Sequence, residues 1–192
     1  YLNFNIPRTF VGNNYEELKK FTDQKKINNK LIIKPLIGLG WYYKKKYFKI
    51  NPQFFDLKNI KKRNFVLFPV TIQEYIEKKY EYRITVVNEK FFICRIDNQN
   101  SENSLYNLDY RNADVSKIPH EESDLPKLFK KKILKLMKYF KLNIAAIDVV
   151  LGKNNKLYFL EINPMFEWLG IEMVTGMKIS KSIADALLKK DV

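Results

Sequence analysis

Cysteine occurs once in this chain, as Cys94, and histidine once, as His120. Internal disulfides and cysteine-based zinc clusters are thereby excluded, and a reducing cytoplasm is the compartment that fits. Cys94 reads as a small core residue on a strand, and His120, between Pro119 and Glu121, as a surface residue outside any catalytic pair. Arginine is scarce as well: only Arg8, Arg63, Arg83, Arg95 and Arg111 stand among 35 basic residues. The net charge of +14 is therefore carried by lysines spread along the chain, a compositional bias rather than a nucleic-acid footprint. Even the densest run, Lys44-Lys45-Lys46 among Trp41, Tyr42, Tyr43, Tyr47 and Phe48, does not make nucleic acid an expected partner. No apolar run approaches the roughly 20 residues that cross a bilayer, and the first residues lack the basic and apolar regions of a signal peptide, so no membrane partner is expected.

What is abundant is core-forming material: 46% of the 192 residues are apolar and 15% aromatic, enough for one domain or two packed lobes. After a turn at Pro7, residues 15–25 read as an amphipathic helix, with Leu18 and Phe21 on one face and Asn13 or Asn14 as N-cap. A short apolar strand at 31–34 ends at Pro35. Residues 65–70 form another apolar run leading to Gln73-Glu74-Tyr75-Ile76. Two β-rich runs, 82–87 and 91–96, flank Asn88-Glu89-Lys90 and predict an antiparallel hairpin. Residues 97–124 are polar and read as an irregular insertion. Pro126 fits the first turn of a helix reaching about Lys141, with Phe129, Ile133, Leu136, Met137 and Phe140 at helical spacing. Residues 144–151 and 157–162 read as strands joined by 152–156. A last helix from about Ser180 is expected to turn Ile183, Ala184, Leu187 and Leu188 inward.

The chemistry concentrates in Ile147-Asp148-Val149-Val150 and Phe159-Leu160-Glu161-Ile162-Asn163-Pro164. Carboxylates within nearly all-apolar strands are costly unless something neutralises them. Glu161 and Asn163 share a strand face. A two-residue turn at Asn154-Asn155 sets Lys153 opposite Lys156 and Asp148 opposite Glu161, so three oxygen-bearing side chains converge. Oxygen ligands without His or Cys suit a hard cation such as magnesium. Pairing of the two acids with nearby lysines, or a place at strand edges, is the alternative.

These motifs, with Trp168-Leu169-Gly170-Ile171-Glu172 and Thr175-Gly176 after them, resemble the ATP-grasp superfamily. Within it the similarity is to ribosomal-protein glutamate ligases and graspetide (microviridin-type) peptide maturases. The resemblance runs from Pro7-Arg8-Thr9 to the last helix. It implies an α+β ATP-grasp fold, two α/β lobes whose antiparallel sheets clasp ATP, with residues 1–73 in the central lobe and 74–192 in the C-terminal lobe. It also implies that Asp148, Glu161 and Asn163 hold Mg2+ on the phosphates of ATP and that Lys34 contacts those phosphates. Gln73, Glu74, Tyr75 and Ile76 form the adenine hinge in this reading, and Glu81 contacts the ribose. Arg83 and Arg95 face phosphate or an acyl phosphate, Gly38 and Gly40 belong to a phosphate loop, and Asp109 and Arg111 of Asp109-Tyr110-Arg111 lie near a carboxylate-bearing peptide substrate. Self-association is left open.

Two departures stand out. Met165-Phe166-Glu167-Trp168 replaces the Gly-Gln-Trp that such maturases tend to carry after Asn-Pro. The chain also begins just before the Pro-Arg-Thr element, so the expectation is a piece of a larger enzyme, inactive by itself, or a chain whose missing part a partner protein supplies. A ligase of amino acids or small metabolites, or a non-catalytic ATP- and peptide-binding module, is the competing expectation.

Overall fold

The computed structural model of the chain describes residues 2–23, 30–36, 40–49, 51–59, 62–65, 69–98, 108 and 118–188. It divides into two compact units, a smaller one built on the described residues of Pro7–Ile76 with Leu108, and a larger one built on those of Tyr1–Ile6, Glu77–Glu102 and Tyr110–Val192.

In the smaller unit, β1 (Thr9–Gly12), α1 (Tyr15–Thr22) and β2 (Leu31–Lys34) are followed by a hairpin of β3 (Gly40–Tyr43) and β4 (Lys46–Lys49). Then come β5 (Gln53–Phe55), a 3-10 turn at Leu57–Asn59, α2 (Lys62–Phe65) and β6 (Val70–Glu74). Asn14 caps α1 by accepting from the backbone N–H groups of Glu16 and Glu17, and the acidic first turn and basic last turn complement the helix dipole. The helix closes at Thr22, short of the expected Lys25, where the Asp23 N–H bonds back to the Lys19 carbonyl. The sheet order is β1-β6-β2-β5, all antiparallel. Alternation puts Phe10, Ile33 and Ile72 into a core with Leu18 and Phe65. The run 65–70 is thus no single element, since Phe65 ends α2 and Val70 opens β6.

The larger unit carries β7 (Lys78–Val87), β8 (Lys90–Ile96), β9 (His120–Glu122), α3 (Lys127–Tyr139), β10 (Ile144–Gly152), β11 (Leu157–Asn163), α4 (Leu169–Thr175) and α5 (Ile179–Leu188). Its antiparallel sheet runs β11-β10-β7-β8-β9. One face presents Tyr82, Ile84, Val86, Ala145, Ile147 and Val149 to Phe129, Ile133 and Met137 of α3. Burying one such aliphatic side chain contributes about 1.5–3 kcal/mol. The other face packs Val87, Phe92, Cys94 and Ile96 against Ile171 of α4 and Ile179 of α5.

Several expectations change here. Pro126 sits one position before the first helical residue, its carbonyl accepting from the N–H groups of Phe129 and Lys130. Phe140 is exposed, because α3 has ended at Tyr139. In α5 the inward side is Ile179, Ile183 and Ala186, whereas Leu187 and Leu188 are exposed at 75% and 79% and Ala184 is exposed too. The helix begins earlier than expected and its buried stripe follows from Ile179. The polar stretch 97–124 contributes a strand, β9, paired to β8. His120 lies within it, half-buried, with its Nδ1 2.6 Å from the Ile118 carbonyl oxygen. No helix among the described residues is long and apolar enough to cross a membrane.

Candidate functional site

Strand pairing aligns Glu161 of β11, Asp148 of β10, Arg83 of β7, Cys94 of β8 and Glu122 of β9 across the larger sheet. Residues directly opposite one another share a face, so this row sets an acid pair beside an arginine. The expected Asp148–Glu161 pairing is present, but it arises differently. The ladder leaves the turn as Leu151↔Leu157 and Val149↔Phe159, one residue out of the expected register. Gly152 and Lys156 bracket a longer turn in which Asn155 takes a left-handed φ of 62°. A bulge at Leu160 then restores Asp148 to Glu161 and Ala146 to Asn163.

Arg83 neutralises Asp148. Its Nη1 donates to both carboxylate oxygens, at 2.8 and 2.9 Å, and the two side chains are 13% and 25% exposed. Glu161 is exposed, and Asn163 accepts a 2.9 Å bond from the Met165 N–H at its Oδ1, which fixes the turn that leaves β11. Two carboxylates and an amide oxygen form a donor set that fits a hard divalent cation, with Arg83 supplying positive charge at the same carboxylate. Among the described residues no group of three or more His, Cys, Asp or Glu is gathered that could hold a metal ion, so a cation here would draw on two carboxylates and the Asn163 amide.

Glu81, two residues before Arg83 on β7, shares its face. Its Oε1 accepts from Lys78 Nζ and Asn98 Nδ2, both at 2.8 Å, and both donors are buried. The sequence offers no sign of this trio. Lys78 reaches Glu81 because the β7–β10 register shifts between Tyr80 and Lys78, which turns the lysine to the acid's side.

Arg95 does not join Arg83. With Asn88-Glu89-Lys90 all in the turn, Arg83 would stand opposite Arg95. Instead Lys90 pairs with Val87, so Arg83 faces Cys94 and Arg95 faces Tyr82. A one-residue shift sends a side chain to the other face. Arg95 accordingly lies on the α3 side, 4.6 Å above the Tyr80 ring and 2.5 Å from Glu121. Cys94, on the site's face, is fully buried, and burial pushes its thiol up to about 11, so no nucleophilic thiolate is available near neutral pH.

In the smaller unit, Lys34 Nζ donates to Gln73 Oε1 at 2.8 Å, and Gln73 Nε2 donates to Thr9 Oγ1 at 2.9 Å. These residues share the sheet face opposite α1, by the pairings Thr9↔Gln73 and Lys34↔Thr71. Glu74 and Tyr75 spend their backbone N–H groups on the carbonyls of Arg8 and Lys30, and the Tyr75 ring meets Phe54 edge-on. Ile76 is half-buried at the end of the unit. Gly40 opens the β3 strand of a hairpin whose turn, Lys44-Lys45, is left-handed at both residues. Gly38, Asp109 and Arg111 lie outside the described residues.

The segment after β11 builds a second polar network. Phe166 packs edge-on against Trp168, whose indole N–H donates to Ser180 Oγ at 3.0 Å. Ser180 in turn gives its backbone N–H and its hydroxyl to Glu172, at 2.6 and 2.7 Å, holding that carboxyl below its usual value.

This sheet pair and its acidic row define an ATP-grasp fold. Residues 3–187 match the RimK-like ATP-grasp domain, and the chain belongs to that family. Among solved structures it is similar, at 30% identity and a TM-score of 0.87, to a Chryseobacterium gregarium RiPP-associated ATP-grasp ligase in complex with ADP and a leader and core peptide. The match covers all of this chain and 57% of that one. The macrocyclase MdnC of Microcystis aeruginosa MRC, bound with precursor peptide MdnA, is also 30% identical, with a TM-score of 0.78 over 97% of this chain and 55% of its own. The ATP-grasp ligase PsnB, complexed with minimal precursor, Mg and ADP, shares the fold at 19% identity and a TM-score of 0.73, over 97% of this chain and 53% of its own. The chain thus spans a little over half the length of these relatives. No curated protein matches its sequence.

Proposed function

We propose that the whole protein is an ATP-dependent ligase that joins carboxylates to amines or hydroxyls and cross-links the side chains of a ribosomally made peptide. The Glu161–Asp148–Arg83 row with Asn163 beside it carries this reading, in a chain similar to peptide-bound ligases. A carboxylate oxygen of the peptide attacks the γ-phosphorus of ATP, and ADP leaves with the bridging oxygen. A Ser or Thr hydroxyl or a Lys amine then attacks the acyl carbon of the acyl phosphate, phosphate departs, and the nucleophile's proton is lost to solvent. Asp148, Glu161 and Asn163 hold magnesium, which neutralises charge on the transferring phosphoryl group when bound. Lys34 contacts phosphate as a point charge, Gln73 to Ile76 receive adenine, and Glu81, kept in place by Lys78 and Asn98, meets the ribose. Arg83 steadies the acyl phosphate, and Asp109 and Arg111 contact the peptide. No protein nucleophile is needed, so catalysis rests on positioning and electrostatics.

The test is to incubate the whole protein with ATP, magnesium and an acidic peptide encoded beside its gene. Products lighter by one water per link are expected. A product heavier by an added amino acid would point to a glutamate-ligase activity instead, and a peptide mass unchanged by ATP would sink the cross-linking reading.

A further inference from the structure

We infer that Phe166 is a positioning residue that holds Arg83 on Asp148 and thereby sets how much magnesium the site requires. This rests on the magnesium-ATP reading above. The Arg83 guanidinium carbon lies 6.0 Å from the centroid of the Phe166 ring while Arg83 Nη1 bonds both oxygens of Asp148. An arginine on a metal-binding carboxylate is a tethered cation competing for the same oxygens. An aromatic face beside a guanidinium attracts it and keeps water from it, which strengthens its hold on the acid. The ring is itself braced: Phe166 meets Trp168 at 5.8 Å, Trp168 bonds Ser180 at the start of α5, and Ser180 bonds Glu172 of α4. Phe166 also follows Asn163 within one short turn closed by the Asn163–Met165 bond, so one segment carries both a magnesium donor and the grip on the competing cation. This is the stretch where the sequence parts from the maturase pattern.

Magnesium must therefore displace a guanidinium that Phe166 retains. Calorimetric titration of ADP into the whole protein at graded magnesium concentrations reads the metal midpoint. Phe166→Leu keeps apolar bulk but loses the ring face, and should lower that midpoint about two- to fivefold. Phe166→Tyr, which keeps the face, should retain the parent value. In an Arg83→Gln background Phe166→Leu should have no further effect. A midpoint unchanged or raised by Phe166→Leu, or an equal shift without Arg83, would overturn the inference.

Failure of the underlying reading looks different, because ADP binding would then ignore magnesium in every variant and the magnesium role of Phe166 would fall with it. Trp168 emission, taken as the difference between the parent and a Trp168→Phe variant, tests the contact itself without nucleotide. Arg83→Gln should change that emission when Phe166 is present and not when it is Leu. Identical emission in both cases would overturn the contact.

Discussion

The two faces of the larger sheet are made by the same strands and do opposite work. Toward α3, β7 and β10 offer Tyr82, Ile84, Val86, Ala145, Ile147 and Val149, all buried and apolar. One residue along each strand, the other face carries Glu81, bonded to Lys78, and Arg83, bonded to Asp148, beside the second apolar cluster of Val87, Phe92, Cys94 and Ile96. The period-two alternation of a strand lets a rigid, sealed core and a charged site share a backbone. Rigidity bought on the α3 face is what fixes the donors on the other.

Substitutions on the two faces should separate accordingly. Ile147→Ala empties a fully buried position beside Asp148 and should cost about 2–5 kcal/mol of unfolding free energy, read in urea. Any loss of nucleotide affinity should then track the loss of folded protein. Asp148→Asn should reverse the pattern, keeping most of the fold while weakening magnesium-dependent ADP binding by at least the roughly 10- to 100-fold that even an outer-shell partner is worth. Equal nucleotide affinity in Asp148→Asn would remove the residue from the metal site. Lys34→Ala should cost about 1.5–3 kcal/mol of nucleotide binding if its ammonium meets phosphate, with a smaller loss of stability from its bond to Gln73. Arg95→Ala sharpens the contrast with Arg83. Its pair with Glu121 is 33% and 57% exposed, so about 1 kcal/mol or less of stability should be lost and ADP affinity should not move. A large loss of affinity would return Arg95 to the site.

The acids were legible because carboxylates inside apolar strands demand a partner, and the resemblance of the flanking residues added a role. Their pairing was legible only in its outcome. A longer turn and a bulge at Leu160 compensate one another, and neither leaves a mark in the residues. At β7–β8 the resemblance put Arg83 and Arg95 to the same task, but Lys90 joins the strand and sends Arg95 to the other face. Register depends on how a turn closes, and near-equivalent turns differ by too little for composition to choose between them. Lys78 and Asn98 were illegible for a related reason, since a register shift and a loop bring them to Glu81. Helix faces failed where an end was misplaced, as for Leu187 and Leu188 in α5.

The smallest effect concerns the network behind Phe166, and it is a matter of pH. Glu172 accepts the hydroxyl and the backbone N–H of Ser180, chiefly the former, and its carboxyl titrates below its usual value of 4.5. A folded-state value depressed below the unfolded one means that the ionised carboxylate favours folding. That contribution is full above the unfolded value and disappears as pH falls through the folded one. Glu172→Gln should therefore be less stable than the parent at neutral pH, and the gap should close as the pH drops below 4.5. Urea unfolding followed by Trp168 emission measures this, because the indole bonds the same Ser180. A gap that stays constant with pH would mean that Glu172 acts through shape and neutral hydrogen bonding. The brace behind Phe166 would then not depend on charge.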